Sequence, residues 1–285
     1  MKNKNIVQRL ILLGPGLTWL AIFLLAPLAI LFVYNFFQRG AFGGVVYEFT
    51  FKNYARAVDP LFLRIFLVSL KIAIVTTALA LLLGYPVAYY IATGPARWRT
   101  VLLGLVVLPF WTSYLIRTYA WIVLLNSEGL INRMLIALGV SARLELLYTQ
   151  SAITIGLLYG YLPFMILPLY AAIERLNPEY REAAADLGAT PLNTFLTVTF
   201  PLTLRGVFAG ALFVFIPSLG NFFVPELLGG GHEILLGNLI RDQFLKARDW
   251  PFGSALAFLT MGLIMVLLLV QAWLANRERQ AEANA

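Results

Sequence analysis

The sequence predicts an all-α membrane protein with six transmembrane helices, and three observations carry that prediction. First, its 285 residues are 60% hydrophobic and only 12% charged, with a mean hydropathy of +0.81. A soluble domain carries about twice that share of charge. Second, the charges cluster. Leu10–Gln38, Ile72–Ala96, Leu146–Ile173, Gly206–Pro225 and Trp250–Asn276 contain no Asp, Glu, Lys, Arg or His, and Thr100–Ser127 contains only Arg117. Each stretch reaches the roughly 20 residues that cross the hydrocarbon core as a helix. Third, none shows the alternating polarity of the roughly 10-residue strands of a membrane barrel.

The first span is expected at about 11–37. The lysines before it resemble the start of a signal peptide, but the apolar run through bulky Leu, Phe and Tyr is too long for one. It is read as a retained helix. The second span, about 66–93, follows a long connection, Arg39–Lys71, with a turn at Asp59-Pro60. A tight turn at Thr93-Gly94-Pro95 leads to the third, about 100–125. A short surface helix is expected over Ile131–Leu138, before the fourth span at about 147–173. The fifth, about 203–226, and the sixth, about 252–276, are separated by Ile234–Leu245, a helix too polar to cross. Pro86, Pro109, Pro163, Pro168 and Pro217 lie inside spans. Membrane helices tolerate them because neighbours re-satisfy the freed carbonyls, and the kinks can open a cavity. No connecting segment is long enough for a core of its own, so residues 1–285 are expected to form a single domain.

The net charge of +7 does not point to nucleic acid, because the basic residues sit in short flanks beside spans. Leaving Arg117 aside, they divide evenly between the two sides of a six-span chain. The side holding both termini has the shorter, denser segments, which places both termini in the cytoplasm. The absence of cysteine excludes disulfides and thiolate chemistry.

The connection after the fourth span, about 177–200, is charged and punctuated by proline. Asn177-Pro178-Glu179 has the chemistry of a helix start: a capping side chain, a proline at the first helical position and an acid at the positive end of the dipole. Gly188 supplies the left-handed stop, giving a helix over Pro178–Leu187, about 15 Å long. A second start lies at Thr190-Pro191, and regularity breaks again before Pro201. On the first helix Tyr180, Ala183, Ala184 and Leu187 share one face, and Glu179, Glu182 and Asp186 another. An acidic face is poorly suited to lie on an anionic inner leaflet, which favours a protein partner.

Glu182, Ala183, Ala184, Gly188, Val198, Phe200 and Pro201 stand in register with the EAA loop of ABC importer permeases, which this segment resembles. Val198 and Phe200 replace that pattern's Ile and Leu. The resemblance extends over nearly the whole chain. Pro109–Asn132, Pro217–Gly230 and Gly237–Ala255 are similar to the first permease subunit of spermidine/putrescine importers, a MetI-like transmembrane domain. Related permeases carry phosphonates, opine-like amines and other small solutes, so those remain alternatives. The resemblance implies a type I ABC importer permease fold with a cytoplasmic coupling helix, set in a bacterial inner membrane. Glu182, Ala183, Ala184, Asp186 and Gly188 would contact an ATPase dimer that binds the ATP and Mg. A second permease and an extracytoplasmic solute-binding protein would complete the machine.

The chain agrees with that division of labour, since it has no G-x-x-x-x-G-K-[ST] loop of its own. For a cationic cargo the expected pathway groups are aromatic faces with a few polar or acidic partners. Trp111, Tyr114, Tyr159, Asn221, Phe222 and Glu226 are the candidates, with Tyr119, Trp121 and Tyr161 nearby in sequence; aromatics at span ends also serve as interfacial anchors. Relatives carry an acid near Asn221, which weakens a selectivity role for this subunit alone. Arg117 would repel a cation in its path, so it is read as structural, paired with a carboxylate or helix carbonyls. His232 is the sole histidine and stands without ligand partners, so no metal site is expected. A secondary transporter would need an intramembrane acid, and an intramembrane enzyme would need convergent catalytic groups. The uncharged gaps supply neither.

Overall fold

The computed structural model describes residues 13–139 and 143–283; the N-terminal lysines and the first residues of the expected first span lie outside them. Among the described residues, four helices are each long and apolar enough to cross a membrane alone, and two bent pairs bring the number to six when each is one span. The chain divides into two compact units, Met1–Leu63 with Leu239–Val266, and Arg64–Asn238 with Leu267–Ala285.

In the first unit, α1 (Leu13–Tyr34) has none of its spanning window buried. A small antiparallel hairpin follows, β1 (Gln38–Arg39) and β2 (Val45–Val46). The sequence does not reveal it, because two-residue strands carry no period. The buried Asn53, on α2 (Lys52–Ala57), donates from Nδ2 to the carbonyls of Asn35 and Phe37 at 2.9 and 2.8 Å. Those acceptors are the open carbonyls where α1 runs out. Arg56 donates to the buried Asp249 at 2.6 Å and lies 4.0 Å from the Phe252 ring centroid. Asp249 in turn accepts from the Phe252 amide, at the first turn of the last helix, α13 (Trp250–Ala283).

The second spanning helix, α3 (Pro60–Thr93), starts earlier than expected. Asp59 accepts from the Leu61 amide at 3.0 Å, so Asp59-Pro60 opens the helix instead of turning the loop. Arg64 and Lys71 therefore ride on α3, not in a connection. The expected third span is broken: α4 (Ala96–Trp111) and the stretch Tyr114–Ala137 meet at 90°. The break follows Pro109 in a closing 3-10 turn, and Thr112 is extended. The Thr112 hydroxyl and Arg117 both donate to the Pro109 carbonyl, at 2.8 and 2.6 Å. Beyond the break are α5 (Tyr114–Leu125) and the short α6 (Leu130–Ala137).

The second unit is built around α7 (Gln150–Glu174), half of whose spanning window is buried. Thr149 caps it by accepting from the Ala152 amide. Ile153, Leu157, Met165 and Leu169 are fully buried along it. Small residues let its neighbours approach closely, as expected where no water drives association. A β-carbon on Gly206 would run into that of Ala172, and one on Gly210 would stand 2.8 Å from the Met165 sulfur. Both glycines belong to α10 (Leu204–Gly220). Before α10 come α8 (Glu179–Asp186) and α9 (Pro191–Leu202), the latter meeting α10 at 67°. The expected span 203–226 stops at Gly220, because Asn221 is extended; α11 (Phe223–Leu228) and α12 (Leu236–Leu245) follow.

Candidate functional site

Two places in the second unit gather the groups that the sequence singles out. The first is α8. Asn177 accepts from the Glu179 amide at 3.1 Å, and Glu179 and Glu182 occupy the first turn, where the helix dipole favours them. At the other end Gly188 has φ +83. Its amide bonds Ala185 and that of Ala189 bonds Ala184, at 2.9 and 3.0 Å, the paired closure of a Schellman stop. The observed helix is one residue shorter at each end than Pro178–Leu187. None of its residues is buried, and Leu187, just past its end, is 90% exposed. Glu182, Ala183, Ala184, Asp186 and Gly188 thus lie on a rigid, capped and open rod.

The segment after it leads back into the spans. Thr190 caps α9 by accepting from the Asn193 amide. Within α9, Phe195–Thr199 widens to a π-helical turn. At its end Thr203 is fully buried, and its hydroxyl meets that of Tyr85 on α3 at 2.7 Å. Tyr85 packs edge-on against Phe195 at 5.3 Å and lies 5.8 Å from Phe200. The sequence marks neither Tyr85 nor Thr203, because a contact across that separation has no local signature.

The second place is the break at Asn221. Its Nδ2 donates to the hydroxyls of Tyr114 and Tyr161 at 3.1 and 2.7 Å, and its Oδ1 accepts from the Val224 amide. A side chain with two donors and an acceptor thereby fixes α5, α7 and α11 at one point. Glu226 is joined to this break through Asn238 on α12, which donates to the Glu226 carboxylate and to the Phe222 carbonyl at 3.0 and 2.8 Å. The sequence does not single out Asn238 either; it is one polar residue on an amphipathic helix. Tyr114, Asn221, Phe222 and Glu226 therefore come together. Tyr159 instead pairs with Trp121, centroids 5.6 Å apart. It also lines an apolar cleft of about 560 Å³ with Pro86, Pro109 and Pro163 from three different spans. Trp111 is 83% exposed at the end of α4. Arg117 is held at the Pro109 carbonyl, with its guanidinium 5.6 Å from the Tyr114 ring centroid. His232 lies beside Tyr148, and no group of potential metal ligands occurs among the described residues.

Known proteins agree with this architecture. The family model described as binding-protein-dependent transport system inner membrane component matches residues 4–280. The spermidine/putrescine transport system permease protein PotB of Salmonella typhimurium (strain SL1344) is 41% identical over 278 residues, covering 97% of this chain and 96% of that protein. Its counterpart in Escherichia coli (strain K12) is 42% identical over 260 residues, covering 91% and 94%. The inner membrane ABC transporter permease protein YdcU of Escherichia coli (strain K12) is 35% identical, covering 93% and 89%. Among solved structures, a bacterial ABC transporter involved in the import of the acidic polysaccharide alginate superposes with a TM-score of 0.73 at 20% identity, covering 97% of this chain and 99% of that one. That likeness shows the fold, that of a type I importer permease. The chain belongs to the binding-protein-dependent transport inner-membrane component family and is a multi-pass permease subunit of an ABC importer.

Proposed function

We propose that this permease moves polyamines of the spermidine/putrescine class into the cytoplasm, as one of two permeases above an ATPase dimer that binds the ATP and Mg. The observation that carries the coupling part is α8, a capped helix without one buried residue, bearing the Glu-Ala-Ala and Gly of the EAA pattern. An open apolar and acidic face on a short rigid helix is suited to a groove on another protein. The polyamine assignment is supported by relatives of that name at 41% and 42% identity over almost the whole chain. An extracytoplasmic solute-binding protein would deliver the cargo from outside, and both termini would lie in the cytoplasm with α8. All six spans would act as a single permease domain, residues 1–285.

In this reading Glu182, Ala183, Ala184, Asp186 and Gly188 contact the ATPase. Its closure displaces α8, and the displacement passes through α9 into the spans. The break at Asn221 supplies what an ammonium group needs without trapping it: ring faces at Tyr114 and Phe222, hydroxyls, and the Glu226 carboxylate. Trp111 and Tyr159 would contribute further ring faces along the way. Arg117 stays out of the path, clamped to the Pro109 carbonyl, where it closes the end of α4.

Reconstitution of the assembled importer in proteoliposomes tests the proposal. Spermidine-loaded receptor should accelerate ATP turnover and drive spermidine inward without an ion gradient. Uptake that follows an ion gradient after ATP is removed would refute it.

A further inference from the structure

We infer that the Tyr85–Thr203 contact is the joint through which displacement of the coupling arm reaches the fifth span, with Tyr85 as the positioning residue. The inference rests on the proposed docking of α8 onto an ATPase, and adds where its motion enters the membrane core. Thr203 sits at the 67° bend between α9 and α10, outside regular helical geometry at φ −98 and ψ 2. Its one hydroxyl proton is directed to the Thr199 carbonyl at 2.9 Å, with the Phe200 carbonyl at 3.1 Å. With that proton so placed, the tyrosine donates the 2.7 Å bond between the two hydroxyls. Tyr85 reaches the bend from α3, immediately before Pro86, so the joint ties the arm to a second span at a kink-prone point.

The surroundings separate what is fixed from what has room. Above the bend, α10 is pressed against α7 through Gly206 and Gly210. Below it, α9 contains a π-helical turn, a form that recurs at functional sites. Its Phe195 and Phe200 rest on the Tyr85 ring. Beside them lies an apolar hollow of about 340 Å³, lined by Leu81, Leu82, Tyr85, Pro86, Leu196 and the two phenylalanines. The arm has space in which to swing, and the buried Tyr85–Thr203 bond ties its bend to α3. Removing that bond should let α8 move without carrying α10 along.

Tyr85→Phe is the clean test, because it keeps the ring. Thr203 also keeps its bond to Thr199, so no buried donor is orphaned. In proteoliposomes holding the assembled importer and spermidine-loaded receptor, receptor-stimulated ATP hydrolysis should stay within about twofold of wild type. ATP consumed per spermidine imported should rise about fivefold, the worth of one net hydrogen bond. Thr203→Ser, which keeps the hydroxyl, should retain the wild-type ratio; Thr203→Val should raise it. A Tyr85→Phe ratio equal to wild type overturns the inference. So does an equal fall in hydrolysis and uptake, which would mark Tyr85 as merely structural. A wild-type importer whose hydrolysis ignores the loaded receptor overturns the proposed function, and this inference with it.

Discussion

The coupling helix α8 and the break at Asn221 are both short interruptions between spans, yet they treat their polar groups in opposite ways. At Asn221 the side-chain amide is spent on partners within the same unit, Tyr114, Tyr161 and Val224. At α8 the backbone is closed at both ends, but the side chains face outward and none is buried. A closed network specifies one geometry, and leaving part of it unpaired in a low-dielectric interior is costly. An open face with a rigid backbone keeps its binding groups available for another surface. Substitutions in the two places should therefore fail differently, those on α8 through transport alone and those at Asn221 through stability as well.

The largest effect is expected at Gly188. Nothing lies within 4 Å of a β-carbon there, but φ is +83, and holding a branched residue in that conformation costs about 1–3 kcal/mol. The exposed last turn of α8 can open locally to relieve that strain, so Gly188→Val should lower uptake by about tenfold or more while the thermal midpoint of the purified permease hardly moves. Gly206 is the opposite case, tight space with ordinary backbone. Gly206→Leu should cost about 1–3 kcal/mol or more through overpacking against Ala172 and Pro168. Its midpoint should fall, whereas Gly262→Leu, with nothing within 4 Å, should leave it unchanged.

A smaller loss is expected from Asn221→Ala, which takes the amide donor from the Tyr114 and Tyr161 hydroxyls while Tyr161 keeps its bond to the Pro217 carbonyl: about 1–3 kcal/mol, read in the same thermal scan. Glu182→Ala on α8 should leave that scan flat and reduce only receptor-stimulated ATP turnover. If both variants shift the midpoint equally, the contrast between the two regions fails. The smallest effect belongs to Arg117→Lys. Lysine keeps the charge but loses the planar fork at the Pro109 carbonyl, so about 1 kcal/mol should be lost. Uptake should persist, and its disappearance in a normally stable Arg117→Lys protein would place Arg117 in the pathway.

What the sequence discloses follows the range of the physics involved. Spans show through uncharged gaps because lipid excludes charge from every residue of a crossing helix. The ends of α8 show because capping is decided within a few residues, at Asn177 and Gly188. Bends do not show. Thr112-Ser113 and Thr203 carry no charge, so they vanish in an average over hydropathy, and the 90° and 67° angles leave no visible trace. Asp59-Pro60 reads as a turn because the same pair also starts helices, and only the Asp59–Leu61 bond decides between them. The candidate site residues are legible by type at Tyr114, Asn221 and Glu226. Their assembly is not, since Tyr85 with Thr203 and Tyr114 with Asn221 meet across more than a hundred residues of chain.

The central claim is that α8 receives work from a nucleotide-hydrolysing neighbour. The chain contains no cysteine, so Ala183→Cys provides a single reactive point on the exposed face of the helix. In membranes carrying the assembled importer, a short thiol crosslinker should join this introduced thiol to the ATPase subunit, with a yield that changes between ATP-bound and nucleotide-free states. Absence of that product, together with labelling of the same thiol by an impermeant reagent added outside intact cells, would contradict the account.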